Sequence, residues 1–168
     1  MKQFYIIVLV TMPIIALGQQ ATVKDAFAAK WERSAEYLIQ MASQMPEEAF
    51  TYKPTERQMS FAEQLVHIHG NMNWLGSTYF NMPATAKPEP DQSKETIIKL
   101  LSEGFAAVGE AVKKTDDQEL TEVVDFFAGP KTKLQILNLL QDHVTHHRGQ
   151  LVVYLNLKQL EPPRYVGW

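Results

Sequence analysis

Apolar residues recur at helical spacing in four stretches of the chain, and no stretch alternates as a half-buried strand does. The first stretch runs from about Val23 to Ser43, with Phe27, Trp31, Leu38 and Met41 on its inner face. Pro46 and Pro54 bracket the loop that follows. The second begins at Ser60-Phe61-Ala62-Glu63, an S-x-x-E capping box in which Ser60 and Glu63 satisfy free amides. It continues to about Phe80 with a stripe of Phe61, Leu65, Ile68, Met72, Leu75 and Tyr79, and Pro83, Pro88 and Pro90 mark the linker beyond it. The third starts near Ser93 and passes Ile97, Ile98, Leu101, Phe105 and Val108 to reach about Lys114. A loop opened by Asp116-Asp117 and holding Phe126-Phe127 and Gly129-Pro130 leads to Thr132-Lys133-Leu134-Gln135, a second capping-box pattern. The fourth stretch extends to about Leu157, and Pro162-Pro163 stop it. Four helices of roughly 20 residues joined by short segments predict an all-α, four-helix bundle.

The start of the chain follows a different pattern. Met1-Lys2 precede an apolar run from Phe4 to Leu17, broken only by Thr11 and Pro13, and Ala16-Leu17-Gly18 offers a small-x-small site. Residues 1–18 are therefore expected to be a secretory signal peptide, with the protein exported to a periplasmic or extracellular location. A run of about 14 residues is short of the roughly 20 that span a bilayer, so no stable membrane insertion is expected. The remaining length suits one domain. A formal charge of −3 supplies no basic footprint for nucleic acid or an anionic membrane surface. The absence of cysteine excludes disulfides, thiolate metal sites and a cysteine nucleophile. Any metal must sit on His, Asp, Glu or carbonyl oxygen.

All five histidines lie in two short segments: His67 and His69 in the second helix, and His143, His146 and His147 in the fourth. In the fourth helix Leu137, Leu140, Val144, Leu151 and Leu155 define the buried stripe. On a helical wheel His147 falls about 20° beyond its edge and His143 about 60° beyond, on the same side. His146 points away. His143 and His147 are thus an i, i+4 pair at the core boundary, able to share one metal ion. An isolated pair of this kind is more often satisfied by hydrogen bonds. A second histidine-bearing helix changes the balance, because burying imidazoles without partners is costly and a metal is an efficient shared partner. In the second helix His67 and His69 flank the stripe on opposite sides. Periodicity leans slightly toward His69, and His67 shares its flank with Gln64, Asn71 and Trp74. The wheel alone does not choose between them.

The segment from Met59 to Ile68 resembles the first conserved block of the DinB/YfiT-like superfamily, a capped helix start followed by a single ligand histidine. His143-Val144-Thr145-His146-His147-Arg148-Gly149-Gln150-Leu151 resembles the second block, H-x-x-x-H followed closely by Gly-Gln-Leu. The resemblance implies an up-down-down-up bundle over residues 19–168. It also implies that one divalent metal ion is held by His67, His143 and His147, with coordination positions left open. His69 and His146 lie outside the pattern and are expected at the polar surface or rim.

A neutral three-histidine set is characteristic of catalytic rather than structural zinc sites. Zinc, nickel and iron(II) all accept imidazole, so the ligands do not name the metal. A zincin protease needs H-E-x-x-H, and Val144 stands where that glutamate belongs. A di-iron bundle needs Glu-x-x-His on two helices, which neither cluster has. The resemblance implies a metal-dependent hydrolase or thiol-dependent transferase acting on a small molecule, with a low-molecular-weight thiol as co-substrate in the second case, and a homodimer as in relatives. Two further readings stand beside it: a non-catalytic metal- or ligand-binding protein of the cell envelope, and a bundle whose histidines only hold it together. Asn71, Trp74, Gln150 and Tyr154 lie on or near the ligand faces and are the candidate pocket residues. Glu63 is expected to cap its helix. Gly149 suggests either close helix approach or simple tolerance of glycine, and Arg148 and Asp142 are expected in surface salt bridges.

Overall fold

The computed structural model describes residues 21–85 and 88–166. The proposed signal segment, residues 1–18, lies outside the described residues. Helix α1 spans Val23–Gln44, α2 Phe61–Tyr79, α3 Lys94–Lys114 and α4 Lys133–Leu157. Their starts are set by side-chain caps. Ser60 and Glu63 form the expected box on α2, Thr132 and Gln135 form one on α4, and Ser93 caps α3. Thr22 and Asp25 form a further box on α1 that the sequence reading did not single out. One departure from an all-helical chain lies before α4. There β1 (Val123–Val124) and β2 (Lys131–Thr132) make a short antiparallel ladder. Two residues per strand are too few to leave a periodic pattern.

The helices pack in the ring order α1, α3, α2, α4. Cross-contacts give their directions. Gln141 Nε2 donates to Phe27 O and the Arg148 guanidinium lies over the Tyr37 ring, so α4 climbs alongside α1. Lys24 donates to Thr115 O while Lys94 donates to Ser43 O, so α3 runs against α1. Gly104 packs against His69 and Met72, and Gly76 against Val108, which makes α2 and α3 parallel. The bundle is therefore up-down-down-up. Its core gathers the expected stripes, including Leu38, Met41, Leu65, Ile68, Met72, Leu101, Val108, Leu140, Val144, Leu151 and Leu155, all essentially inaccessible to solvent. Apolar burial of this kind contributes roughly 25 cal/mol per Å² and is the main stabilising term.

The start of α2 is held unusually well. The Phe61 amide donates to Tyr52 O at 3.0 Å, the Ala62 amide to Phe50 O at 2.9 Å, and the Glu63 amide to Ser60 Oγ at 3.1 Å. A helix ordinarily leaves these first amides unsatisfied. Here the preceding loop and the cap absorb them, which fixes the register of the turn that carries Gln64 and His67.

Candidate metal centre

His67 lies one and a half turns into α2, and His143 and His147 lie on successive turns near the middle of α4. The antiparallel α2–α4 seam brings them together. One ring nitrogen from each residue lies within 4.8 Å of the others. The Nε2 atoms of His67 and His143 are 3.0 Å apart. Ring centroids are 4.6 Å apart for His67 and His147, and 4.5 Å for His143 and His147. Nitrogens bound to one ion at 2.0–2.1 Å stand about 3.3 Å apart in a tetrahedron, so side-chain movements of about 1 Å suffice for all three to share an ion. No carboxylate belongs to the group.

A chain of hydrogen bonds sets the tautomer of His147. The Tyr154 hydroxyl donates its one hydrogen to Met59 O at 2.6 Å, so its oxygen can only accept from Gln64 Nε2, 3.5 Å away. Gln64 thereby turns its carbonyl oxygen toward His147 Nδ1, at 2.5 Å, and Gln150 Oε1 approaches the same nitrogen at 2.9 Å. With Nδ1 carrying the proton, Nε2 keeps a free lone pair. Ligand histidines are typically oriented by such a partner on the far nitrogen. Gln64 is buried, so the arrangement is shielded from solvent.

Electrostatics keep the α4 pair neutral. Burial, followed by the neighbouring His147, His67 and His146, lowers the pKa of His143 to about 3. Burial again, with His67 and His146, lowers that of His147 to about 4, opposed by the Gln150 hydrogen bond. Both rings thus keep unprotonated nitrogens at neutral pH. Glu63 is engaged in its cap and bonds Lys53 at 3.0 Å. Its amide partner at Ser60 and the lysine hold its pKa below the usual value.

The candidate pocket residues separate into two pairs. Asn71 and Trp74 line an open cleft of about 700 Å³ that His67 also borders. Tyr154 is buried at the inner end of the hydrogen-bond chain, and Gln150 sits on His147 while donating to His146 Nε2 at 3.3 Å. His146 is exposed, as expected, and Asp142 is at the surface.

Two expectations need correction, and one open alternative is decided. His69 is not a surface residue; it is 2% exposed in the α2–α3 seam, where a Cβ on Gly104 would stand 3.1 Å from its ring. Its pKa is lowered by burial, partly opposed by Glu103. Arg148 is not in a surface salt bridge. It is 5% exposed, with its guanidinium 5.2 Å from the Tyr37 ring and 5.8 Å from the Tyr165 ring. Gly149 does not mark close approach: it is exposed, and nothing lies within 4 Å of where its Cβ would be.

The sequence profile of the DinB family matches residues 18–165. The chain belongs to the DinB family. Among similar proteins, the uncharacterized protein YjoA of Bacillus subtilis is 23% identical over 120 residues, covering 69% of this chain and 78% of YjoA. The crystal structure of YjoA superposes with a TM-score of 0.69 at 20% identity, over 83% of this chain and 96% of that one. A DinB-like protein from Bacillus cereus gives a TM-score of 0.75 at 22% identity, over 87% and 99% of the two chains. A conserved protein from Enterococcus faecalis gives 0.59 at 16% identity, over 81% and 96%. At these identities the solved structures speak for the DinB-like bundle alone. Among the described residues no helix is long and apolar enough to cross a membrane.

Proposed function

We propose that this DinB-family protein binds one divalent metal ion through His67, His143 and His147 and uses it in a reaction on a small molecule. The observation that carries this reading is the orientation of His147. Its Nδ1 is occupied by Gln64 and Gln150, which leaves Nε2 as the only ring nitrogen available, beside two further imidazoles. When bound, a divalent ion supplies Lewis acidity that brings the pKa of a water or thiol toward neutrality. The protein's own part is to keep His143 and His147 neutral, to hold the His147 ring in one tautomer, and to admit substrate along the cleft beside His67. Three neutral ligands leave the charge of the ion uncompensated, as in catalytic sites. Zinc, nickel and iron(II) all suit the imidazoles.

Of the two reaction classes, thiol transfer fits these residues better than base-assisted hydrolysis. The histidine group includes no carboxylate, and Glu63 is committed to Ser60 and Lys53. Transfer to a low-molecular-weight thiol requires no protein base of that kind. The export-signal pattern in residues 1–18 supports a location outside the cytoplasm. The lack of a carboxylate within the histidine group favours, as the second reading, a non-catalytic metal- or ligand-binding protein of the cell envelope.

Turnover separates them. The zinc-, nickel- and iron-loaded protein is offered an electrophile such as 1-chloro-2,4-dinitrobenzene with and without a low-molecular-weight thiol. Catalysis that needs both metal and thiol and disappears in a folded His147→Ala variant supports the transferase. A protein that binds metal fully and turns over neither thiol-dependent nor hydrolytic substrates is the non-catalytic alternative.

A further inference from the structure

The hairpin between α3 and α4 carries two phenylalanines: Phe126 packs half-buried against the edge of the core, and Phe127 faces outward. Phe126 stacks on Trp74 of α2, with centroids 5.8 Å apart and planes 20° apart. Phe127 packs on Phe126 at 4.4 Å and on Trp74 at 6.1 Å. Phe127 is nonetheless 84% exposed and Trp74 41% exposed. Leaving large rings in water forgoes roughly 1.5–3 kcal/mol per side chain relative to burial, so core packing does not account for them. The arrangement is also fixed. Tyr79 Oη donates to Asp125 O at 2.9 Å, and the Gly129 amide closes the loop on Phe126 O at 2.9 Å with a φ of 90° that favours glycine.

Trp74 links this aromatic shelf to the histidines. His67, Asn71 and Trp74 follow one another at i, i+4 and i+7 on α2 and line one cleft, with Met59, Val66 and Pro90 as apolar wall. Among the described residues its charged lining is Glu89 and Glu63, the latter paired with Lys53. Asn71 lines the cleft, and its Oδ1 is buried without a hydrogen-bond partner among the described residues, an acceptor that a turn of the amide would present to a donor.

We infer that this cleft takes an aromatic small molecule carrying an N–H donor or positive charge. Its ring rests on the Trp74 shelf, its donor meets Asn71 Oδ1, and anionic aromatics are disfavoured by Glu89. The inference deepens the metal-site reading, on which any reaction at the His67 end rests, but binding on the shelf does not require the ion.

The test uses 2-naphthylmethylamine and its anionic counterpart 2-naphthylacetate, titrated by calorimetry into zinc-loaded and chelator-stripped protein whose zinc content is measured in parallel. The amine is expected to bind both forms, and in the stripped form to bind better than the acetate. Trp74→Ala should weaken amine binding by roughly two- to tenfold, while Trp74→Phe retains most of it. Phe127→Ala, at a fully solvent-facing position, should weaken it in the same direction and serves if Trp74→Ala does not fold. Asn71→Leu should weaken amine binding by a similar factor. Equal amine binding by wild type, Trp74→Ala and Phe127→Ala overturns the proposal, as does a preference of the stripped protein for the acetate. Zinc uptake without amine binding sinks the shelf alone. Amine binding without zinc uptake sinks the metal reading alone.

Discussion

The α1–α3 and α2–α4 seams are built from the same kind of helix and put their buried surface to different uses. Across α1–α3, Trp31 stacks with Phe27 at 5.2 Å and tilts onto Phe105 at 4.8 Å. Its indole N–H donates to Phe105 O at 2.9 Å, so the ring's one polar atom is spent inside the seam. Across α2–α4, Gln64, His67, His143, His147, Gln150 and Tyr154 interleave. Their hydrogen bonds run in a direction that leaves Nε2 of His147 with an unspent lone pair. A seam whose polar atoms are all consumed contributes stability. A seam that fixes its polar atoms and leaves some unconsumed is a candidate site.

If that contrast is right, the largest stability loss belongs to the first seam. Trp31→Ala should cost about 3–5 kcal/mol in denaturant unfolding without altering the number of metal ions bound per folded chain. His147→Ala in chelator-stripped protein should cost much less, and a loss as large as that of Trp31→Ala would erase the distinction. Next in size, Gln64→Leu should lower metal affinity roughly 10–100-fold, measured by competition with a chromogenic chelator, because His147 loses its buried partner and keeps only Gln150. Stability of the stripped protein should change less than for Trp31→Ala.

Acidity probes the second seam directly. His143 and His147 titrate at about 3 and about 4 in the folded protein, below their ordinary 6.5. Between pH 6.5 and 4 the unfolded chain therefore binds more protons at these sites, and folding stability falls as pH is lowered through that window. Denaturant unfolding of stripped protein at pH 7 and pH 5 should show the drop, and the His143→Ala, His147→Ala double variant should show a shallower one. An unchanged slope would mean the pair is not buried neutral. The smallest effect expected is that of Tyr154→Phe, which removes one hydroxyl and should cost about 1 kcal/mol. It should also weaken metal binding by less than Gln64→Leu, since Gln64 keeps its contact with His147.

The bundle was legible because its boundaries are local. Ser60, Ser93 and Thr132 announce helix starts within four residues of sequence, and the stripes of α2 and α4 repeat at a fixed period. The candidate site was legible on α4, where the offset of His147 from the leucine stripe agrees with its burial at the seam. It was not legible on α2. A helical wheel measures where His67 and His69 stand relative to their own stripe. It does not say that α4 lies on the flank of one and α3 on the flank of the other. That depends on ring order, and the family resemblance supplied what the wheel lacked. Gln64 and Arg148 escaped for a related reason. Their partners, His147 and Tyr37, lie far away in sequence, so composition marked one as an ordinary polar flank and the other as a surface charge. The only signal for Gln64 was its place one turn before His67 on the same flank.

The most direct measurement of the central claim is metal content per chain by inductively coupled plasma mass spectrometry, on protein purified without chelator or histidine tag. The His67→Ala, His143→Ala, His147→Ala, His146→Ala and His69→Leu variants are run alongside, each checked for helical content by circular dichroism. The account predicts about one ion per chain in the wild type and in the last two variants, and none in the first three. A wild type that takes up no zinc, nickel or iron(II), or one whose ion survives loss of His67, His143 or His147, would contradict it.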